Sequence, residues 1–467
     1  MSTTDLVALA RTGPLHFMGV GGAGMVALAE LVLREGGQVS GCDVKDGEGM
    51  RRLARLGAAV VQGHAEGHVE AATALVVTAA VPSDHPEIRR ARERGIPVLK
   101  RAEALGALVN RGRVLAVAGT HGKTSTTAMA TGILVAAGMD PTGFVGGTVE
   151  GWDGNLRKGS SDLFVVEADE YDRSFLTLEP DVAVVTNLEA DHLDVYGDLE
   201  GVREGFRAFV DRLRPGGRLV VCADDPGASA LLAGSPAGFG YGLSAGAQLR
   251  AVEVEVEPPA VRFRALEEGV DRGEVTLAVP GRHNLRNALG AAAAARFLGA
   301  SWDHVKAGLG AYRGVERRFQ LLGEARGVAV VDDYAHHPTE IRAALQAVRE
   351  VYGGRRVVAV FQPHLYTRTR DFHLEFGAAL AGADELWVTD VFPAREQPLA
   401  GVDSRLVSDA ARQAGAGTVH DHPSIDDVHR ALAPTLQEGD VLLTLGAGSV
   451  EVVGPRVLEL LAGGDDA

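Results

Sequence analysis

The stretch AVAGTHGKTSTT, Ala116 to Thr127, consists of an apolar run, a turn with two glycines and the start of a helical pattern. A helix that begins at such a turn presents backbone N–H groups and the positive end of its dipole to an anion. Lys123 can reach the terminal phosphates of a nucleotide, and the Thr124 hydroxyl can bind Mg²⁺. The first glycine of the usual motif G-x-x-x-x-G-K-[ST] is missing, because Val117 stands there. We therefore expect a shortened phosphate-binding turn after a buried parallel strand.

The composition is that of a folded protein with several domains. The chain has 467 residues, 46% hydrophobic and 23% charged, and a prior of about 150 residues per domain predicts roughly three domains. The formal net charge of -16 argues against nucleic-acid or anionic-membrane partners, because neutralising phosphates requires clustered lysine and arginine. We see no basic leader segment and no apolar run long enough to span a membrane. We expect a cytoplasmic monomer or homodimer, with Cys42 and Cys222 as buried free thiols.

Short apolar runs alternate with helical patterns along the whole chain, which predicts the α/β class with parallel sheets covered by helices. Three such blocks predict three domains, at residues 1–110, 111–316 and 317–467. The first and third are expected to be Rossmann-like, and the second to resemble P-loop ATPases. Within the second, between residues 250 and 279, apolar and charged residues alternate. This pattern predicts a small additional region of half-exposed, antiparallel strands.

A second glycine-rich turn lies near the start of the chain, between a predicted strand and a predicted helix. GVGGAG at residues 19–24 fits G-x-G-x-x-G, and Asp43 ends the next strand, where it can accept ribose hydroxyls. The candidate ligands of a diphosphate are Gly19, Gly21, Gly22, Gly24 and Asp43. Taken alone, the motif supports an NAD-dependent oxidoreductase, and a purely structural tight turn is the alternative. The motif indicates a diphosphate without specifying which one.

Acidic and polar residues follow two further strands of the second block. Glu167 lies in FVVEADEYD, and Asn187, Asp191 and His192 lie in VVTNLEADHLD. Ligands gather at the carboxyl ends of open parallel sheets, and a phosphate site needs such groups to complete its metal site. We expect Glu167 and His192 to be functional. We expect residues 169–172 to form a solvated acidic loop.

Six strings occur in an order that resembles the Mur ligases, the ATP-dependent amide-forming enzymes of peptidoglycan precursor synthesis: GTHGKTS, EADE, TNLEADHLD, GRHNLRNA, VERRF and DDYAHHP. The resemblance covers all three blocks. It implies that the shortened turn is the family's own form and binds ATP, and that the first glycine turn holds the diphosphate of a UDP-sugar. In such enzymes ATP converts a carboxylate to an acyl phosphate, which an amine then attacks. HFMGVGGAGM, DDYAHHPTEI and FQPHLYTRTRD are most similar to members that join L-alanine to UDP-N-acetylmuramate.

The resemblance also implies roles for individual residues. ATP would contact Gly119, Thr120, His121, Gly122, Lys123, Thr124, Ser125, His283, Asn284, Asn287 and either Asp332 or Asp333. Thr124 and Glu167 would hold one Mg²⁺, and His192 would contribute to a second. One of Arg317 and Arg318 would face the γ-phosphate, and the incoming alanine would meet Tyr334, His336 and Arg368. The catalytic groups would be Lys123, His192, Arg317, Arg318, His336 and Arg368.

The chain departs from the Mur ligase pattern at two points, and three alternative functions remain open. Family members that add later amino acids rely on a carbamoylated lysine, and this chain has no lysine between Lys158 and Lys306. Leu365 stands where the family pattern has an arginine, which affects how the substrate carboxylate is bound.

The nearest alternative is the recycling ligase of the same family, which joins a tripeptide to UDP-N-acetylmuramate. The others are the NAD-dependent oxidoreductase and a nucleotide-binding regulator without enzymatic activity.

Overall fold

The computed structural model describes residues 5–78, 81–235, 237–394 and 396–463. In these ranges the chain forms three sheets flanked by helices, as the α/β prediction requires. The chain divides into two compact units. The first comprises Met1–Val254, Arg262–Ala278 and Arg286–Arg313, and the second comprises Glu255–Val261, Val279–Leu285 and Gly314–Ala467. Each sheet lies within one of the three predicted blocks, and the block boundaries stay a prediction.

The first sheet has five parallel strands in the order β3-β2-β1-β4-β5. Its strands are β1 Leu15–Met18, β2 Val39–Asp43, β3 Ala59–Gln62, β4 Ala74–Val77 and β5 Val98–Lys100. Its helices are α1 Leu6–Thr12, α2 Ala23–Arg34, α3 Glu48–Arg55, α4 Pro86–Glu93 and α5 Arg101–Val109. The strand order reverses between β1 and β4, and ligands bind at such a switch point in open parallel sheets. The predicted strand ALVVTAAV ends at Val77, and its Ala79 and Ala80 lie outside the described residues.

The central sheet has ten strands in the order β15-β14-β13-β12-β11-β10-β6-β9-β7-β8. Its strands are β6 Arg113–Ala118, β7 Thr142–Phe144, β8 Leu156–Arg157, β9 Leu163–Glu167, β10 Val182–Val185, β11 Arg218–Cys222, β12 Gly238–Gly242, β13 Leu249–Glu257, β14 Ala260–Glu267 and β15 Val270–Leu277. Its helices are α6 Lys123–Ala136, α7 Leu193–Tyr196, α8 Leu199–Val210, α9 Pro226–Ser229, α10 Arg282–Phe297 and α11 Trp302–Ala311. The predicted small β region is β13–β15, which extends this sheet. Its strands are joined by two-residue connections, a length that only antiparallel neighbours permit.

The third sheet has six strands in the order β16-β17-β21-β18-β19-β20. Its strands are β16 Gln320–Ala325, β17 Val328–Asp333, β18 Val357–Phe361, β19 Glu385–Val388, β20 Thr418–Asp421 and β21 Val441–Leu445. Its helices are α12 Pro338–Tyr352, α13 Tyr366–Leu380, α14 Arg405–Gln413, α15 Val428–Leu432 and α16 Val453–Ala462. β16 runs antiparallel to β17, and the other pairs are parallel. Apolar clusters cover both faces, as expected of a parallel sheet.

Five short 3-10 segments complete the described structure, at Glu66–Val69, Tyr171–Thr177, Ala230–Leu232, Ala433–Thr435 and Ser449–Val452. Cys42 and Cys222 are both buried and free, as predicted. Among the helices of the described ranges, none combines the length and apolar character that crossing a membrane requires.

Candidate functional site

The shortened glycine turn follows β6 and leads directly into α6. Gly119 and Gly122 have φ of 136° and 81°, values that side chains rarely tolerate. A Cβ atom at Gly119 would lie 2.0 Å from Oγ1 of Thr186, and one at Gly122 would lie 2.4 Å from Oδ1 of Asn287. Val117 is fully buried within β6. The position of the missing glycine therefore belongs to the strand, and the turn itself is shorter than in the usual motif.

The segment after β10 holds this turn in place. The His121 N–H donates to Oδ1 of Asn187 (2.7 Å), and Oγ1 of Thr186 donates to the His121 carbonyl (2.5 Å). Oγ1 of Thr120 accepts from the Glu189 N–H (3.0 Å). These bonds fix the turn before any ligand arrives, which is the arrangement expected of a preorganised anion site.

Lys123 and His192, two of the expected functional residues, meet at Glu170. Nζ of Lys123 lies 2.9 Å from Oε1 of Glu170, and Nε2 of His192 lies 3.7 Å from the same oxygen. Nζ also donates to the Gly119 carbonyl (2.7 Å). Glu170 is only 3% exposed, so the prediction that residues 169–172 form a solvated loop was wrong for Glu170. Its neighbour Asp169 keeps a 41% exposed side chain.

Burial dominates the electrostatics of this cluster. It raises the pKa of Glu170 to about 7, against the lowering effect of Lys123 and with a further increase from Asp169. Burial also opposes the charged form of Lys123, but Glu170, Asp169 and Glu167 outweigh it and raise the pKa of the ammonium. Lys123 is therefore a cation surrounded by carboxyl groups.

Thr124 and Glu167 form an oxygen pair on neighbouring elements. Oγ1 of Thr124, in the first turn of α6, donates to Oε2 of Glu167 at the end of β9 (2.9 Å). The Gly146 N–H donates to the same Oε2 (2.7 Å). Hydroxyl and carboxylate oxygens at this spacing beside a phosphate turn suit a hard cation such as Mg²⁺. The residues present thus fit the metal that was expected at this position.

Helix α10 carries the GRHNLRNA residues. Asn287 packs against Gly122, where a side chain on the turn would clash. Asn284 lies one helical turn earlier, on the same face, and its Nδ2 donates to the Pro280 carbonyl (2.8 Å). Both asparagines are buried. His283 and Asn284 belong to the second compact unit and Asn287 to the first.

The first glycine turn joins β1 to α2, as the sequence predicted. The Gly21 N–H donates to Oδ2 of Asp43 (2.9 Å), so Asp43 braces the turn at the end of β2. Gly19 has a φ of 78°, and Gly22 immediately precedes α2. A Cβ at Gly24 would lie 3.2 Å from Nη1 of Arg101. Gly22 is exposed immediately before α2, where a ligand can approach the N-terminus of the helix.

In the second unit, Asp332 and Asp333 end β17 as buried carboxyl groups. Oδ2 of Asp332 accepts from Nε of Arg317 (2.9 Å), and Asp332 also accepts from Thr444. The carboxylate of Asp333 accepts from the N–H groups of Phe319 and Ala335, each at 2.8 Å. Burial raises the pKa of Asp333 to about 7, with Arg318 opposing and Glu340 adding to the increase.

Tyr334 lies between the two arginines of the VERRF string. The guanidinium carbons of Arg317 and Arg318 lie 5.2 Å and 4.9 Å from its ring centre, within the range of cation–π attraction. Arg317 also donates to the Gly446 carbonyl (2.7 Å) and contacts Glu451 (2.8 Å). Arg318 approaches Glu340 at 3.5 Å.

His336 continues this cluster towards α13. Its ring centre lies 5.2 Å from that of Tyr334 and 5.8 Å from that of His364. Nδ1 of His364 lies 3.5 Å from Nη1 of Arg368, so His364 connects Arg368 to His336. The sequence did not single out His364 or Glu340. The FQPHLY string was the only signal for His364, and its aromatic residues suited a core equally well.

Comparisons with known proteins agree along the chain. Residues 14–113 match the Mur ligase family catalytic domain, residues 117–295 the Mur ligase middle domain, and residues 317–448 the Mur ligase glutamate ligase domain. A UDP-N-acetylmuramate–L-alanine ligase from Kineococcus radiotolerans is 49% identical over 462 residues, 97% of each chain. Two solved structures are also similar. The UDP-N-acetylmuramate-alanine ligase of Thermotoga maritima has a TM-score of 0.81 and 30% identity. The alignment covers 96% of this chain and 99% of that protein. The second is the UDP-N-acetylmuramate:L-alanyl-gamma-D-glutamyl-meso-diaminopimelate ligase of Neisseria meningitides, with a TM-score of 0.60 and 29% identity. The alignment covers 66% of this chain and 100% of that protein's chain.

Proposed function

The chain belongs to the Mur ligase family, and we propose that it joins L-alanine to the carboxylate of UDP-N-acetylmuramate in an ATP-dependent reaction. The products are UDP-N-acetylmuramoyl-L-alanine, ADP and phosphate. The observation that carries this proposal is the 49% identity to an L-alanine ligase over 97% of both chains. We propose Mg²⁺ as the metal and the cytoplasm as the location, where ATP and UDP-sugars are available.

The turn Gly119–Thr124 is proposed as the site of the ATP phosphates. Its N–H groups and Lys123 would oppose the negative charge of the γ-phosphate while the muramoyl carboxylate approaches. Two anions repel each other, so the site acts chiefly by positioning and neutralising charge. Bound Mg²⁺ would supply further neutralisation, with Thr124 and Glu167 as its protein oxygens. His192 lies beside Lys123 at Glu170 and is proposed for the second metal.

The carboxylate oxygen attacks the γ-phosphorus and ADP leaves, which gives an acyl phosphate. The alanine amine then attacks the acyl carbon, loses a proton and displaces phosphate. We propose that Tyr334, His336 and Arg368 receive the alanine, because their side chains form one connected cluster through His364. Arg368 would bind the amino-acid carboxylate, the role left open by Leu365.

We propose Arg318 rather than Arg317 for the γ-phosphate. Arg317 donates to Asp332 and to the Gly446 carbonyl, and its Nη1 contacts Glu451. Rotating it towards a ligand would break these contacts and leave the buried Asp332 carboxylate without its charged partner, which is costly. Arg318 has a longer ion pair, at 3.5 Å to Glu340. We further propose that Asp333 or Asp332 receives the ATP ribose, and that His283, Asn284 and Asn287 lie beside ATP.

We propose the first glycine turn, with Gly19, Gly21, Gly22, Gly24 and Asp43, as the site of the UDP diphosphate. This replaces the NAD-dependent oxidoreductase considered for GVGGAG alone, because family membership accounts for all three sheets of the chain.

Phosphate release with UDP-N-acetylmuramate, ATP and Mg²⁺ tests the proposal directly. We expect turnover with L-alanine and little with the tripeptide L-alanyl-γ-D-glutamyl-meso-diaminopimelate. The tripeptide arm matters because a ligase of that specificity is also a structural relative. Turnover with tripeptide and none with alanine would transfer the assignment to the recycling activity, and no phosphate release with either would remove it.

A further inference from the structure

Four potential metal ligands converge on one face of the first sheet. They are His16 on β1, Cys42 on β2, His68 in the 3-10 segment Glu66–Val69, and Glu87 on α4. His16, Cys42 and Glu87 are 2%, 0% and 0% exposed. Met18, Val69, Leu75 and Ile88 form the apolar surroundings. None of the four has a role in the function proposed above.

The atoms of His16, Cys42 and Glu87 have the spacing of three corners of a tetrahedral site, and His68 lies close enough to be the fourth ligand. Metal–ligand distances of about 2.0–2.3 Å for zinc give ligand–ligand separations of roughly 3.3–3.8 Å. Sγ of Cys42 lies 3.4 Å from Nε2 of His16 and 3.3 Å from Oε2 of Glu87. Nε2 of His16 lies 3.7 Å from the same Oε2, and Nδ1 of His68 lies 3.3 Å from Oε1 of Glu87. One atom from each of the four residues fits within 4.8 Å of all the others.

Hydrogen bonding within the protein leaves this cluster incomplete. Nδ1 of His68 is buried and makes no hydrogen bond, although it points at the Glu87 carboxylate. A buried nitrogen that makes no hydrogen bond is rare, although this one lies at ion-pair distance from Glu87. A cation bound by His68 and Glu87 would use the Nδ1 atom that makes no hydrogen bond.

The surrounding contacts are those that orient metal ligands. Nδ1 of His16 bonds to Oγ of Ser40 (2.9 Å), which directs Nε2 towards the cluster. The Ala65 N–H donates to Oε1 of Glu87 (2.8 Å). His64 approaches from the rim, with Nδ1 3.2 Å from Sγ of Cys42 and 3.3 Å from Oε1 of Glu87.

We propose that His16, Cys42, His68 and Glu87 form a structural zinc site. Two imidazoles, a thiolate and a carboxylate suit Zn²⁺, whereas Mg²⁺ prefers oxygen ligands alone. The ion would connect β1, β2, α4 and the Glu66–Val69 segment. Because β1 leads directly into the first glycine turn, the site would stabilise the base of that turn.

Zinc binding to the tag-free, full-length chain tests this proposal. The protein is stripped with a chelator, dialysed against zinc in excess Mg²⁺ and analysed for bound metal, so that the magnesium site does not contribute. We expect stoichiometric zinc and an increase in Tm on zinc addition. Cobalt in place of zinc should give the intense charge-transfer absorption of a thiolate ligand.

Three variants locate the ion. Loss of a residue that only orients a metal ligand typically weakens metal binding by roughly 10–100-fold. Cys42→Ser and His68→Gln remove ligands themselves, so each should weaken zinc binding by at least that factor. Cys42→Ser should also abolish the cobalt–thiolate band. Cys222→Ser, at the other buried free thiol, is the matched control and should bind zinc as the parent does. Because His68 lies near the surface, with a 24% exposed side chain, His68→Gln remains informative if Cys42→Ser does not fold. Substoichiometric zinc in the parent chain, or unchanged affinity in His68→Gln, would overturn the proposal.

Discussion

Nζ of Lys123 lies 2.9 Å from Oε1 of Glu170, so the cation of the phosphate-binding turn has a buried carboxylate as its partner. In the proposed function, ATP phosphates would have to compete with this carboxylate for Lys123. We therefore expect the pair to affect both stability and catalysis, and experiments on either residue must separate the two effects.

Lys123→Ala should lower the rate of phosphate release by about 100-fold or more, because it removes a charge that stabilises the developing negative charge. Binding of UDP-N-acetylmuramate, measured by calorimetry, should persist. The substitution also leaves Glu170 buried without its partner, which costs about 3–5 kcal/mol of stability.

The double variant Lys123→Ala with Glu170→Gln is the control for that stability loss. It should regain much of the lost stability while its turnover stays low. Recovery of wild-type turnover in the double variant would show that Lys123 has no catalytic role.

The ligand-free protein should lose stability as the pH rises from about 4.5 to about 7, with Glu170 as one source. The folded chain raises the pKa of this carboxyl from 4.5 to about 7. The folded state therefore binds the proton more tightly, so the stabilisation is complete below pH 4.5 and lost as the pH passes 7. The difference between these two pKa values corresponds to a change on the order of 3 kcal/mol in the free energy of unfolding. Urea unfolding at several pH values should show a smaller decrease for Glu170→Gln than for the parent, and parallel profiles would contradict the assignment.

Glu167→Gln should increase the Mg²⁺ concentration needed for half-maximal turnover by at least about tenfold, since it removes the charge of a metal ligand. The amide oxygen can still accept from Thr124, so the Tm should change little. Glu179→Gln is the control, because Glu179 is a half-exposed carboxylate paired with Arg212. An unchanged Mg²⁺ requirement in Glu167→Gln would remove Glu167 from the metal site.

Gly122→Ala should weaken ATP binding much more than Gly138→Ala, although the two glycines flank the same helix and have similar φ of 81° and 71°. A Cβ at Gly122 would collide with Asn287, whereas nothing lies within 4 Å of one at Gly138. Gly138→Ala should therefore cost only about 1 kcal/mol of backbone strain. Titration of ATP by calorimetry separates the variants, and equal affinities would show that the close packing at Gly122 is not needed.

Local patterns in the sequence predicted most of the buried strands and both glycine turns. They missed the buried strands β7 and β12, whose short, glycine-containing segments TGF and GFGYG give little apolar signal, and also β8, β16 and β20. The exposed edge strand β3 was missed, because only one of its four residues is even partly buried and its apolar signal is weak. The prediction for Glu170 failed because a run of acidic residues suggests solvent exposure, while its burial depends on Lys123, far away in the sequence. His364 and Glu340 were not found either, because their contacts with the rest of the cluster depend on the fold and not on a local pattern. Cys42 was correctly predicted as a buried thiol, but no spacing in the sequence shows that His16, His68 and Glu87 surround it.

The packing of Asn287 against Gly122 also has a consequence for biosynthesis. During translation the loop between β6 and α6 leaves the ribosome long before α10 is made. Contacts between segments so distant in sequence form late, because the intervening chain must first be ordered. A nascent chain that ends before α10 would thus carry the shortened glycine turn without the helix that packs against it, and this contact could form only after α10 has been made.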